Sequence, residues 1–364
     1  MARTTEQRLL MLCAAREASP AARSESRALA AGGDWRAVID LAVANGMLPL
    51  LRHGLLRAHV ACPAHLHERM AADFAEVTAS NMSRCAQASR LLQILDAAGV
   101  RAALCKGPVL ASTAYGHLGL RPCHDIDVLV GRRDIHRARD AVLGAGYTQY
   151  DATAAAFGGI WPQADREVVL FPEQPGLTVV ELQTTVANWP LAVRLESETL
   201  VGRSIEINTA GAALRTLANE DHLLVLVLHG FRHLWESIRL IADIDWAVGA
   251  PLQWSLVFER ARDARMERML AAALMLSRSV FQTRLPVEVL ERIEGDRVAA
   301  RMSARIERRL FASRFFRKIT QDSMWIACRE RTSDKLRFIT RLMAEKLIRS
   351  YDHLAGPSDA RGMR

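Results

Sequence analysis

Residues 100–130, VRAALCKGPVLASTAYGHLGLRPCHDIDVLV, constrain the fold more tightly than any other stretch of this chain. Val100–Cys105 is short, apolar and bounded by Gly99 and Gly107, the pattern of a buried strand. A Lys106-Gly107 turn follows, then a short helix bearing Ser112 and Tyr115, then a loop with Arg121. A second strand carries Asp125 and Asp127 and runs to Val130, with Gly131 closing it. Residues two apart on a strand share a face, so the two carboxylates project together while Ile126 turns into the core. Adjacent carboxylates repel unless a cation or a proton sits between them. Hard divalent ions such as Mg²⁺ take that oxygen environment and complete their shell with water and substrate phosphates. The stretch points to a metal-dependent, phosphate-handling site.

A lone D-x-D is a weak signal, because most such pairs are solvated carboxylates at turns and strand ends. Its neighbours strengthen it. Lys106 and Gly107 end the first strand, where a glycine lets backbone N–H groups approach a phosphate and the next helix offers its positive end. Arg121 is a candidate for neutralising phosphate charge. Glu181 lies in an alternating strand, Thr178–Gln183, whose Val179, Glu181 and Gln183 share one face. If that strand pairs beside Asp125–Val130, three carboxylates converge. Such a trio can hold two Mg²⁺ ions roughly 3.5–4 Å apart, the arrangement used for in-line displacement at phosphorus.

The rest of the chain supplies helices around a small sheet. Residues 1–95 read as an N-terminal helical region, with Asp34 as a cap, Asn45-Gly46 as a break, and a long helix from about Ala64 to Ala98. Leu9–Ala15 is an apolar run crowded by Glu6, Arg16 and Glu17; it fits a short amphipathic helix and is barely the length of a signal-peptide core. Residues 96–208 read as a compact mixed sheet with helices inserted. Its further strands are Tyr147–Tyr150, Glu167–Phe171 and Thr178–Gln183, the last two joined by a hairpin turn at Pro172–Gly176. Residues 209–350 return to a helical pattern from Ala210 onward, and 351–364 read as a flexible tail. The expected fold class is therefore α+β.

Two bulk properties bear on function. The net charge is +8, yet residues 301–350 hold 14 Lys+Arg against 5 Asp+Glu, while the remainder carries 34 basic and 35 acidic groups. Any polyanionic partner therefore meets that C-terminal segment, although basic residues spaced among Leu, Ile and Met also suit a solvated helix face. The interleaved Phe311, Phe315, Phe316, Trp325 and Phe338 recur at helical spacing and read more simply as core. Six cysteines without C-x-x-C spacing fit a reducing compartment, and no apolar run approaches the roughly 18 residues of a spanning helix, so a cytoplasmic location is expected.

A second constellation is His229, His233 and Asp243. The histidines are four apart on a helix and share a face. That spacing suits a zinc pair, but no third ligand is obvious. Internal packing and contact with a nucleotide or acceptor remain open beside it.

The phrases KGPVLASTAYGHLGLRPCHDIDVLV, then Gly146-Tyr147, then VVELQ resemble the nucleotidyltransferase superfamily of the polymerase-β type. The closer resemblance is to a bacterial family of uncharacterised nucleotidyltransferases. DWRAVIDLAVANGMLPLL and EDHLLVLVLHGFRHLWESIRLIADIDW extend it in the right order over about residues 34–250. It implies that Asp125 and Asp127 are the metal-binding pair and Glu181 the third carboxylate, which in polymerases of this type helps activate the attacking hydroxyl. Two positions depart from the pattern. The broader superfamily has Gly-Ser where this chain has Lys106-Gly107, and the narrower family has histidine where this chain has Gln183. The implied activity is Mg²⁺-dependent transfer of a nucleoside monophosphate from an NTP such as ATP to an unidentified acceptor, a small molecule, saccharide or peptide rather than nucleic acid. The alternatives are a nucleotide-binding regulator without catalysis and a toxin-like enzyme that nucleotidylates tRNA or protein.

Overall fold

The structure is a computed structural model that describes residues 3–149, 167–186, 193–311, 321–340 and 342–343. The expected tail at 351–364, together with Tyr150, Phe315 and Phe316, lies outside the described residues.

The chain begins with helix α1 (Thr5–Ala14), started by a reciprocal cap between Thr4 and Gln7. Leu9 through Ala14 are all buried, so α1 is a core helix and not the amphipathic one expected. α2 (Pro20–Gly32), α3 (Trp35–Ala44) and α4 (Leu48–Arg57) pack around it. Gly54 makes the closest of these approaches possible: a Cβ there would stand 2.2 Å from the Cys13 backbone. Asp34 caps α3 as expected, and Gly46 takes a positive φ in the break before α4. The long helix α5 (Ala64–Ala97) matches its expected span to within a residue and ends before Gly99.

Seven strands then form one mixed sheet: β1 (Ala102–Leu104), β2 (Ile126–Val130), β3 (Tyr147–Thr148), β4 (Glu167–Pro172), β5 (Val180–Gln183), β6 (Ile205–Thr209) and β7 (Ala212–Thr216). Their order is β3-β4-β5-β2-β1-β7-β6. β2 pairs antiparallel with β1 and parallel with β5; β4 and β5 form the expected hairpin. Interspersed are α6 (Pro108–Thr113), α7 (Ile135–Leu143) and α8 (Ser197–Gly202).

The sheet continues past the expected boundary at 208. Residues 212–216 were expected to be helical and instead form β7, hairpinned to β6 through Ala210-Gly211. Both turn residues have positive φ, +52° and +76°, as a two-residue hairpin of matching twist demands. Thr216 Oγ1 donates to Leu104 O, fastening this hairpin to β1.

Helices α9 (Asn219–Arg232), α10 (Ile238–Ala247), α11 (Trp254–Asp263), α12 (Glu267–Phe281), α13 (Val287–Glu294), α14 (Arg297–Glu307) and α15 (Gln321–Ala327) follow. They share one apolar core with the N-terminal helices, running from Leu9 to Phe338. Trp246 on α10 donates to Ala14 O, and Asp245 accepts from the Arg16 backbone, tying α10 to the end of α1. Trp325 and Phe338 are buried in this core, while Phe311 is exposed.

The two faces of the sheet are thereby distinguished. Ile126, Val128 and Val130 join Val180 and Leu182 in a second apolar cluster against α5 and α7. Asp127, Leu129, Glu181 and Gln183 take the opposite face, where the helical core begins. No helix among the described residues is long and apolar enough to cross a membrane.

Candidate active site

The parallel pairing of β2 and β5 sets Asp127 opposite Glu181 and Leu129 opposite Gln183. Asp125, two residues before Asp127, extends the same face, and burial and Asp127 together raise its pKa against the pull of Lys106 and Arg121. Asp127 is only 3 % exposed. Its Oδ1 receives the Lys106 ammonium at 2.9 Å and the Gln183 amide at 2.9 Å. The same amide nitrogen donates to Glu181 Oε2 at 3.1 Å. Gln183 therefore uses both of its N–H bonds to bridge two carboxylates.

Charge is unbalanced here. Burial, then Asp127, Asp125 and Glu167, push Glu181 up to about 7. Burial alone would weaken the Lys106 ammonium, but Asp127 outweighs it and leaves Lys106 more firmly protonated than usual. The turn that presents Lys106 depends on Gly107, whose φ of +64° and ψ of −139° no side chain tolerates well. α6 behind it has six residues, so its end contributes little field. His222 on α9 holds the preceding Cys105 carbonyl at 2.7 Å and fixes the start of the turn.

His229 and His233 lie at the end of α9, their rings in edge-on contact with centroids 4.5 Å apart. Burial, followed by the charge of Lys106, holds His229 far below its ordinary pKa, and burial and Arg232 lower His233. The charge of Lys106 acts on both rings, which puts this end of α9 near the carboxylate face.

Arg121, expected at phosphate, and Asp243, expected at nucleotide or acceptor, are both buried. They form a buried ion pair with each other: Arg121 Nε and Nη2 donate to the two Asp243 oxygens at 2.8 and 3.0 Å, and Tyr115 donates to Oδ1 at 2.6 Å. Asn81 Nδ2 donates to Leu118 O and Arg121 O. The network anchors the loop leading to Asp125 against α5 and α10. Gln183, His222 and Tyr115 contribute directly to this architecture. Of these, sequence pattern gave a signal only for Gln183, by its place on the Glu181 face.

Among the described residues no three His, Cys, Asp or Glu side chains are arranged as a ready metal site. The geometry gives a reason for the carboxylates: Asp127 Oδ1 is already engaged by Lys106 and Gln183. The donor chemistry nevertheless fits a hard divalent ion. All three side chains are carboxylates, and beside the effect of burial the charges of Asp127, Asp125 and Glu167 raise Glu181 against the pull of Lys106.

The model of a family described as uncharacterised nucleotidyltransferase matches residues 31–282, and the chain belongs to that family, within the polymerase-β-type superfamily. No curated protein and no solved structure matches the chain.

Proposed function

We propose that this member of the uncharacterised nucleotidyltransferase family transfers a nucleoside monophosphate from an NTP, ATP among them, to an unidentified acceptor in a Mg²⁺-dependent reaction that releases pyrophosphate. The observation that carries the reading is the β2–β5 register, which sets Asp127 beside Glu181 with Lys106 on the same carboxylate. Asp125, Asp127 and Glu181 would hold the divalent ions, two in the full arrangement. Bound there, such ions neutralise triphosphate charge and lower the pKa of an acceptor hydroxyl.

The chain's own groups divide the remaining work. Lys106, released from Asp127, would bind triphosphate oxygens beside the Gly107 turn. Glu181, whose proton affinity lies near neutrality, would orient the acceptor hydroxyl and take its proton. The acceptor oxygen bonds to the α-phosphorus as the bond to the pyrophosphate oxygen breaks, and the departing electron pair stays on pyrophosphate. His229 and His233, adjacent and with lowered proton affinity, would contact nucleotide or acceptor. Arg121 and Asp243 would act at a distance by holding the Asp125 loop.

The test is incubation with Mg²⁺ and each α-³²P-labelled NTP, with and without cell extract. Label incorporation that disappears in Asp127→Ala supports the proposal. Tight NTP binding without pyrophosphate release under any condition contradicts it and leaves a nucleotide-binding regulator. Label on a small molecule, saccharide or peptide is the expected outcome, and label on tRNA or protein marks the toxin-like activity.

A further inference from the structure

The basic character of the C-terminal segment has a structured origin on α14. Val298 is half-buried and Ala299, Met302, Ser303 and Ile306 are buried, fixing that side of the helix against the core, including α12. The opposite side carries Arg297, Arg301 and Arg305 at four-residue steps, about 6 Å apart along the axis. Arg308 continues the row in the turn after the helix. Arg297, Arg301 and Arg308 are exposed and Arg305 is half-buried.

Among the described residues, none of these four arginines makes an ion pair; Arg308 donates only to Ala304 O. The nearby acids are engaged elsewhere: Asp296 holds Arg268, Glu294 holds Arg278, and Glu307 holds Arg3. Arg309 follows at the end of the row, and burial with the like charges of Arg305 and Arg308 depresses its guanidinium. Uncompensated like charges on one face cost stability unless a partner neutralises them.

We propose that the arginine row of α14 docks the phosphate backbone of a nucleic acid. Evenly spaced guanidinium forks suit a polymer of evenly spaced phosphates, which they bind bidentately. A membrane surface fits less well. A helix that lies on lipid presents large apolar side chains beside its basic ones, whereas within α14 only Ala300 and Ala304 flank the arginines and the larger apolar residues face inward. The row shares no residue with the carboxylate site and stands whether or not that site transfers nucleotides.

The test uses the full-length protein and a fluorescein-labelled single-stranded RNA of about 20 nucleotides, followed by anisotropy between roughly 50 and 200 mM salt. Four phosphate contacts predict a slope of log K against log salt of about −3, falling to about −1 in Arg301→Glu/Arg308→Glu. The control, Arg36→Glu/Arg133→Glu, makes the same change in net charge at exposed positions off the row and keeps the parental slope. Far-UV circular dichroism establishes that both variants are folded. Absence of saturable binding at the lowest salt overturns the proposal. So does an equal loss in both variants, which marks diffuse charge, or retention by phosphatidylserine vesicles without RNA binding.

Discussion

The Lys106 ammonium lies 2.9 Å from Asp127 Oδ1, the oxygen that also accepts the Gln183 amide. With Asp127 almost fully buried, this lysine is the cation that makes the carboxylate tolerable without metal. Lys106→Met is therefore expected to lower the stability of the metal-free protein by about 3–5 kcal/mol. Added Mg²⁺ should raise Tm more in the variant than in the parent, since the competing ammonium is gone. Thermal unfolding with and without Mg²⁺ reads both effects.

Glu181 makes stability depend on pH in a defined direction. Its pKa rises from 4.5 to about 7 on folding, so the folded state holds this proton more tightly than the unfolded state. The contribution is complete below 4.5 and is lost as pH climbs through about 7. The difference in unfolding free energy between the parent and Glu181→Gln should therefore shift against the parent across that window. A difference that is flat with pH, in denaturant titrations, contradicts the account.

Breaking the Arg121–Asp243 pair should cost about 3–5 kcal/mol, because either truncation leaves a buried charge without its partner. Arg121→Lys should rescue little, since one ammonium cannot reproduce the two-pronged contact. Equilibrium unfolding of Arg121→Ala, Asp243→Ala and Arg121→Lys checks this. Loss of activity without loss of stability would place Arg121 at substrate instead.

The boundaries between legible and illegible features follow the range of the forces involved. The D-x-D strand, α5, the β4–β5 hairpin and the cap at Asp34 all rest on periodicity or local hydrogen bonding, which the sequence displays. The β6–β7 hairpin was hidden because Ala210-Gly211 lacks the asparagine or aspartate usual in such turns and Ala-rich 210–216 favours helix in isolation. Pairing of β7 with β1 overrode that preference. Arg121 carried the right charge for a phosphate, but its partner lies 122 residues away on α10. Nothing local distinguishes a guanidinium aimed at substrate from one aimed at a buried carboxylate.

Gln183 bridges Asp127 and Glu181 with one amide nitrogen. Gln183→Leu removes both hydrogen bonds and should destabilise by about 1.5–3 kcal/mol, given charged acceptors. The loss should be larger above pH about 7, where Glu181 is ionised and unbridged. Chemical denaturation at two pH values measures it.

The central claim is that Asp125, Asp127 and Glu181 form a divalent-cation site, and Mn²⁺ binding followed by electron paramagnetic resonance tests it most directly. Above the Glu181 pKa of about 7, the parent should take up Mn²⁺ saturably, and ATP should strengthen the uptake. Asp127→Asn and Glu181→Gln should each lose it, while Asp140→Asn, at an exposed residue of α7, should bind as the parent does. Identical titrations for the parent and Asp127→Asn would contradict the claim.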